Sequence, residues 1–296
     1  MRANGFKLGS APGFDIIATE HGHSILDIPQ TLLLRQLKRR GAVLFRGFRV
    51  DLGTFSAFVR KASHRTAIDP ARAWFAPDVQ RVDAGTAAVG LHCENGTTPR
   101  VPDVVWFYAA IAAREGSQTT LCEGRAVWYR LAPAVKRLFL DHQVLYERTV
   151  PEDLWTRYLQ HEMPSLPEGS RLDQAQVDRF CASVPGTRMT VNLDRSLSVS
   201  VCAALAHPTR FSPRIAWANS LLGPSYNYQA PRITLDNGRP IPAWAMEEIT
   251  RVTDACTEAI PWQDGDVVAI DNTRTMHGRR KILDCRRTLY TALSYV

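Results

Sequence analysis

The stretch Leu91-His92-Cys93-Glu94-Asn95 decides how the rest of this chain is read. In extended backbone, residues two apart point the same way, so His92 and Glu94 turn an imidazole and a carboxylate to one face while Leu91 and Cys93 turn to the other. One histidine and one carboxylate make two thirds of a facial metal triad, and the third ligand has to close the site from elsewhere in the fold. The segment Asn272-Thr273-Arg274-Thr275-Met276-His277-Gly278-Arg279 offers His277 for that place. Two histidines and one carboxylate with open coordination positions suit non-haem Fe(II) of the oxygenase type.

An H-x-E tripeptide alone is common, so its company carries the weight. His277 follows the apolar run Val267-Val268-Ala269-Ile270 and precedes the basic pair Arg286-Arg287, which leads into a closing strand. The conjunction is far more specific than any of its members.

Composition sets the outer bounds. With 45% apolar and 22% charged residues in 296, the chain has the make-up of a globular protein with a substantial core. All-β barrels and sandwiches often run to this length as one unit, and no repeat, low-complexity tract or linker forces a cut. We read residues 1–296 as a single domain. Six cysteines, at 93, 122, 181, 202, 256 and 285, form no C-x-x-C pair and read as reduced thiols of a cytoplasmic enzyme. The N-terminal residues lack a signal-peptide core, and the apolar run Val104 to Ala113 falls far short of the roughly 20 residues of a membrane helix. The net charge of +7 comes mostly from scattered arginines without an aromatic-basic motif, which excludes nucleic acid and leaves solvated surface charge or an acidic partner.

Along the chain, Pro29 to Arg40 suits a helix closed by Gly41, and Gly41 to Phe48 a buried strand. Asp51 caps a second helix carrying Leu52, Phe55, Phe58 and Val59. Residues 70–90 read as loop, Asp103 to Ala113 as a strand buried on both faces, and Arg125 to Leu140 as one helix. Residues 146–190 show no clean period and read as an insertion or lid over the core. Tyr226 and Tyr228 mark a loop that lines a pocket or simply packs. A helix within Ile241 to Ile260, a strand from Asp266 to Asp271 and a final strand from Arg287 to Val296 complete the chain. The fold class is mainly β with flanking helices, a jelly-roll barrel; a doubly wound fold lacks its Gly-rich fingerprint.

These marks give the chain a family likeness. Gly41-Ala42-Val43-Leu44-Phe45-Arg46-Gly47-Phe48, His92-Cys93-Glu94, Gly116-Ser117-Gln118-Thr119-Thr120-Leu121, Asp271-Asn272, Met276-His277-Gly278-Arg279 and Arg286-Arg287 stand in order. From about Gly41 onward the sequence resembles the Fe(II)- and 2-oxoglutarate-dependent dioxygenases of the taurine dioxygenase-like superfamily. The resemblance implies a double-stranded β-helix core. It also implies that His92, Glu94 and His277 ligate the iron, and that Thr119 and Arg287 bind the far carboxylate of 2-oxoglutarate, with Arg286 the alternative one residue away. The implied reaction consumes 2-oxoglutarate and O2, releases succinate and CO2, and oxidises a C–H bond, most simply to an alcohol. Desaturation, epoxidation and cyclisation are variants of it. Two departures stand out: Ser117 replaces a usual glycine, and Glu94 replaces a common aspartate. Halogenating relatives are similar but carry a small residue in place of the carboxylate, so Glu94 speaks against halogenation.

The Gly116 to Leu131 and Leu235 to Ile241 stretches are similar to hydroxylases of natural-product pathways that act on amino acids, free or tethered to carrier proteins. Carrier proteins are acidic, which suits a basic surface. Among Arg195, Arg210, Arg214 and Arg232, one is a candidate clamp for a substrate carboxylate, and Arg279 a structural ion-pair partner. Asn95 and Asn272 flank the ligands, either as orienting partners or as turn formers. The alternatives are a zinc hydrolase with a His2Glu site, which lacks the usual H-E-x-x-H, and a silent jelly-roll binding protein.

Overall fold

The structure is a computed structural model that describes residues 2–3, 6–20, 22–82, 85–166, 171–224 and 229–296. Tyr226 and Tyr228 lie outside the described residues. Among those described, no helix is long and apolar enough to cross a membrane, and all six cysteines are free.

Two sheets face each other. In the larger, strands Phe14–Ala18, Ala42–Arg46, Val267–Asp271, Val104–Ile111 and Thr288–Tyr295 lie side by side, with shorter strands at both ends. In the smaller, the order is Thr257–Ala259, Thr119–Glu123, Thr275–Arg279, Val89–His92. Alternation along the strands decides what lies between them. Val105, Phe107, Val268, Ile270 and Leu44 turn inward to meet Leu121 of the smaller sheet. Trp106, Tyr108, Val267, Ala269, Val43 and Phe45 turn outward, under helices Gln30–Arg40 and Leu52–Ala62. The outer face of the smaller sheet presents Leu91, Cys93, Cys122 and Met276 to helices Gly124–Arg130, Pro133–Asp141 and Ala243–Ala255. This sandwich, wrapped by helices, is the jelly roll that the sequence implies.

Local rules account for most boundaries. Gly41 ends the first helix with φ 80°, and a Cβ there would lie 2.5 Å from Thr275 Oγ1, so both conformation and space call for glycine. Asp51 accepts from Thr54 N at 2.7 Å and completes a capping box. Two expectations change. Residues 70–90 are not all loop, since Trp74–Ala76 and Val79–Arg81 pair across a turn with Asp78 at φ 63°. The single helix expected over Arg125 to Leu140 is two, because Pro133 has no N–H to continue the first and opens the second at its N1 position.

The 146–190 segment holds regular structure despite its lack of period. Strand Val144–Val150 pairs with Leu197–Ala203, which in turn pairs with Thr187–Val191, and helices Glu152–Glu162 and Gln174–Cys181 lie in the same stretch. Trp155, Leu159, Val177, Phe180 and Val199 form a separate apolar cluster there. The buried Glu162 carboxylate ties it to the barrel through Arg65 at 2.9 Å and Arg100 at 3.0 Å.

Candidate metal centre

Strand register brings the two histidines together. His277 and His92 are cross-strand partners in the smaller sheet, and their rings sit 4.3 Å apart between centroids. Thr119 pairs with Arg279 and Leu121 with His277, so these four side chains share the inward face with His92 while Met276 and Cys122 face out. The strand expected to run through Glu94 stops at His92. A turn follows, with Gly96 N donating to Cys93 O at 3.0 Å and Asn95 at φ 55°. Glu94 Oε1 nevertheless comes 3.9 Å from His92 Nε2 and 3.7 Å from His277 Nε2. The longer reach of glutamate over aspartate serves a backbone that curls away at this point.

Asn272 holds that turn. Its Oδ1 accepts from Glu94 N at 2.9 Å, and its Nδ2 donates to the carbonyls of Glu94 at 3.1 Å and Pro102 at 2.9 Å. Of the two readings for Asn272, the orienting one is what the structure gives. Asn95 instead ties the turn to Ile68 O at 3.0 Å.

Protonation and tautomer are set by the surroundings. His92 Nδ1 lies 2.8 Å from Gly90 O, an oxygen that only accepts, so Nδ1 donates there and Nε2 is the nitrogen turned to Glu94. Both ring nitrogens of His277 are buried without a hydrogen-bond partner. Burial, with His92 beside it, pushes the His277 imidazolium down to about 4, so the ring is neutral at pH 7. Burial alone would raise the Glu94 carboxyl, but Arg72, His277 and His92 hold it well below the usual carboxylate range. One carboxylate and two imidazoles, all donor atoms within 4.8 Å, can hold one metal ion. An imidazole with no partner for either nitrogen is what a ligand looks like without its ion, and the donor set fits Fe(II).

Arg72 is the residue that pattern reading missed. Its Nη2 donates to Glu94 Oε1 at 2.9 Å and its Nε lies 3.2 Å from Asp69 Oδ2. It lies twenty-two positions before Glu94 in a stretch without periodicity, so no local signal marks it.

A cavity of about 60 Å3 contains His92, Glu94, His277, Arg72, Thr119 and Arg279 in its walls. Thr119 Oγ1 accepts from Trp262 Nε1 at 3.1 Å, which leaves its own hydroxyl proton to donate elsewhere. Arg287 lines an adjoining cavity of about 300 Å3, and Leu289 borders both. Arg287 Nη2 is buried without a partner. Burial, then Arg279 and Arg81, push its guanidinium down to about 10, the mark of a desolvated cation beside like charges. Arg286 faces the other way, exposed, and is engaged with Asp284 at 2.8 Å. Arg279 is buried and donates to the carbonyls of Gly85 and Ala87 at 2.9 and 2.7 Å. Arg195, Arg210 and Arg232 pair with Glu152, Asp103 and Glu147, and with the exposed Arg214 they stand apart from the cavity. Ser117 occupies the left-handed region at φ 65°, which favours glycine.

A mainly-β sandwich with a His-Glu-His cluster between its sheets defines the jelly-roll class of non-haem iron oxygenases. More narrowly, residues 11–293 match the taurine catabolism dioxygenase TauD, TfdA family, and the chain belongs to it. It is a dioxygenase of the kind that uses Fe(II), 2-oxoglutarate and O2. The match begins thirty residues before the point at which the motifs become readable.

A clavaminate synthase-like protein of Arabidopsis thaliana is 26% identical over 294 residues, 86% of this chain and 81% of its own length. Among solved structures, PvcB from Pseudomonas aeruginosa superposes with a TM-score of 0.62 at 13% identity, covering all of this chain and 94% of its own. A taurine dioxygenase from Burkholderia xenovorans gives 0.64 at 14%, with coverage of 98% and 89%. These two support the fold. Family membership and the absence of H-E-x-x-H set the zinc hydrolase aside.

Proposed function

We propose that His92, Glu94 and His277 bind the Fe(II), and that Thr119 and Arg287 hold the far carboxylate of 2-oxoglutarate. The substrate is a small, amino-acid-derived molecule of a biosynthetic pathway, and the outcome is hydroxylation. The observation that carries this reading is the doubly unpartnered, buried His277 ring facing Glu94 and His92. For the substrate, support comes from PvcB, an Fe, alpha-ketoglutarate dependent oxygenase from an isonitrile synthetic pathway.

Bound iron with 2-oxoglutarate and O2 supplies oxidative decarboxylation to succinate and CO2 coupled to C–H oxidation. This chain's residues do the positioning. His92 presents Nε2 because Gly90 fixes Nδ1. Asn272 fixes the Glu94 backbone while Arg72 fixes one carboxylate oxygen. Thr119 would donate its hydroxyl proton to the co-substrate carboxylate, and Arg287 would meet it with a partly desolvated guanidinium. Phe107, edge-on to His277 at 5.3 Å, keeps water from that ring. The segment 146–190 closes over the substrate side as a lid.

The test is Fe(II)-dependent formation of succinate from 2-oxoglutarate. The Glu94→Ala variant loses it, and undiminished turnover in that variant removes Glu94 from the metal.

A further inference from the structure

Helix Glu152–Glu162 is fastened to the barrel along one extended segment. Arg157 Nη1 donates to Pro70 O at 2.8 Å and its Nη2 to Arg72 O at 3.3 Å. One turn further along, His161 Nε2 lies 3.0 Å from Thr66 O, and Glu162 meets Arg65 at 2.9 Å. Helix residues 157, 161 and 162 thus meet residues 70 to 72, 66 and 65 in reverse order, one face of the helix against one run of chain. That run begins as strand Arg65–Ala67, paired with Thr288–Tyr295. A guanidinium, with five donors in a rigid fork, suits two carbonyls two residues apart.

The same run ends on the partner of Glu94. Gln80, buried on strand Val79–Arg81, accepts from Asp69 N at 3.0 Å and donates to Asp69 O at 2.8 Å and to Arg72 O at 3.2 Å. The turn over residues 69–72 is therefore gripped from the barrel by Gln80 and from the 146–190 segment by Arg157, and Arg72 O accepts from both. Within the turn, Ala71 N donates to Asp69 Oδ1 at 3.0 Å while Asp69 Oδ2 meets Arg72 Nε at 3.2 Å, so the turn backbone sets where the Arg72 guanidinium lies. From there Nη2 reaches Glu94 Oε1 at 2.9 Å. Hydrogen bonds thus run without a gap from the helix to the carboxylate of the His-Glu-His cluster. A carboxylate in such a cluster is only as well placed as the groups that orient it.

We propose that Arg157 is a positioning residue for the metal centre. By holding the 69–72 turn it keeps Arg72 on Glu94, so that docking of helix Glu152–Glu162 and placement of the carboxylate are one event. This rests on the reading that Glu94 ligates the iron, and it extends that reading to the 146–190 segment. Arg157 acts through Arg72, and a double-mutant cycle measures such a coupling.

The experiment uses the full chain, stripped of metal, and reads Fe(II) affinity anaerobically by competition with a chromogenic chelator. Arg157→Met, which keeps an apolar stem and removes the fork, should weaken Fe(II) binding about fivefold, and Arg157→Lys, able to reach one carbonyl, should recover part of the loss. In the Arg72→Gln background the same Arg157→Met change should alter affinity by less than about twofold, because its route to Glu94 is already cut. A role in folding alone would give the same loss in both backgrounds. The visible bands of the Co(II)-loaded protein are a second readout: Arg157→Met and Arg72→Gln should shift them in the same direction, with no further shift in the double variant. Thermal melts of the metal-free proteins check the fold, and if Arg157→Met melts lower than wild type, Arg157→Lys carries the comparison. Fe(II) affinity within about twofold of wild type, or a loss of equal size in both backgrounds, overturns the proposal. A wild-type protein whose Fe(II) affinity is unmoved by Glu94→Ala would instead overturn the ligand assignment beneath it.

Discussion

Replacing Arg287 by alanine removes a half-buried cation whose Nη2 is buried without a partner and which is pressed by Arg279 and Arg81. Two consequences of opposite sign follow. Without 2-oxoglutarate, Arg287 is a liability. A base whose folded pKa is depressed, here to about 10, opposes folding at every pH below that value, and the effect fades only as pH rises through 10. The ligand-free variant should therefore melt no lower than wild type at pH 7.

With 2-oxoglutarate the balance reverses, because the co-substrate carboxylate loses its desolvated partner. Truncating one member of such a pair costs about 2–5 kcal/mol, roughly a 30-fold to several-thousand-fold rise in Kd. Anaerobic titration of 2-oxoglutarate into the Fe(II) protein reads this number, and thermal melts with and without 2-oxoglutarate read the stability side. Arg286→Ala, which removes only an exposed pair with Asp284, should leave Kd within about twofold of wild type. Wild-type affinity in Arg287→Ala, or the loss appearing in Arg286→Ala, would refute the reasoning.

Three further outcomes are expected. Arg72→Gln should weaken Fe(II) binding about 10- to 100-fold through Glu94 while the fold is kept; equal affinity by competition with a chelator would show that Arg72 plays no part in placing the carboxylate. Ser117→Gly should raise stability by about 1 kcal/mol in urea denaturation, since φ 65° strains any residue with a Cβ; a loss of stability would mean that the serine side chain matters more than its backbone. Asp271→Asn should stabilise in a pH-dependent way. Burial raises the Asp271 carboxyl to about 6, so its ionisation costs nothing below pH 4, a growing amount between 4 and 6, and on the order of 2–3 kcal/mol above. The gain should be present at pH 7 and nearly gone at pH 4, and a gain equal at both would disprove it.

The barrel was legible because its residues obey period rules. Gly41, Asp51, Val104 to Ile111 and Val267 to Asp271 sit where turn chemistry and alternation require, and His92 ends the strand Val89–His92 while His277 stands at the centre of Thr275–Arg279. Even the pleat argument for His92 and Glu94 held in direction, with Leu91 and Cys93 on the opposite face, although the strand ends before Glu94. The 146–190 segment was opaque for a physical reason. Glu162 falls at a core position of its helix and Arg148 at a core position of its strand, and each charge interrupts the stripe that reveals the element. Arg72 was hidden differently, since a distant loop brings it to Glu94. That Arg287 lines a cavity while Arg286 pairs with Asp284 shows only in coordinates, because adjacent arginines look alike in sequence.

The proposed function requires that His92, Glu94 and His277 form an iron site beside a 2-oxoglutarate pocket. Anaerobic titration of the metal-free protein with Fe(II) and 2-oxoglutarate tests it most directly. The visible charge-transfer band of the chelate should appear with one equivalent of each and be lost in His277→Ala. A wild-type protein that gives no band, or a His277→Ala variant that keeps it, would contradict the claim.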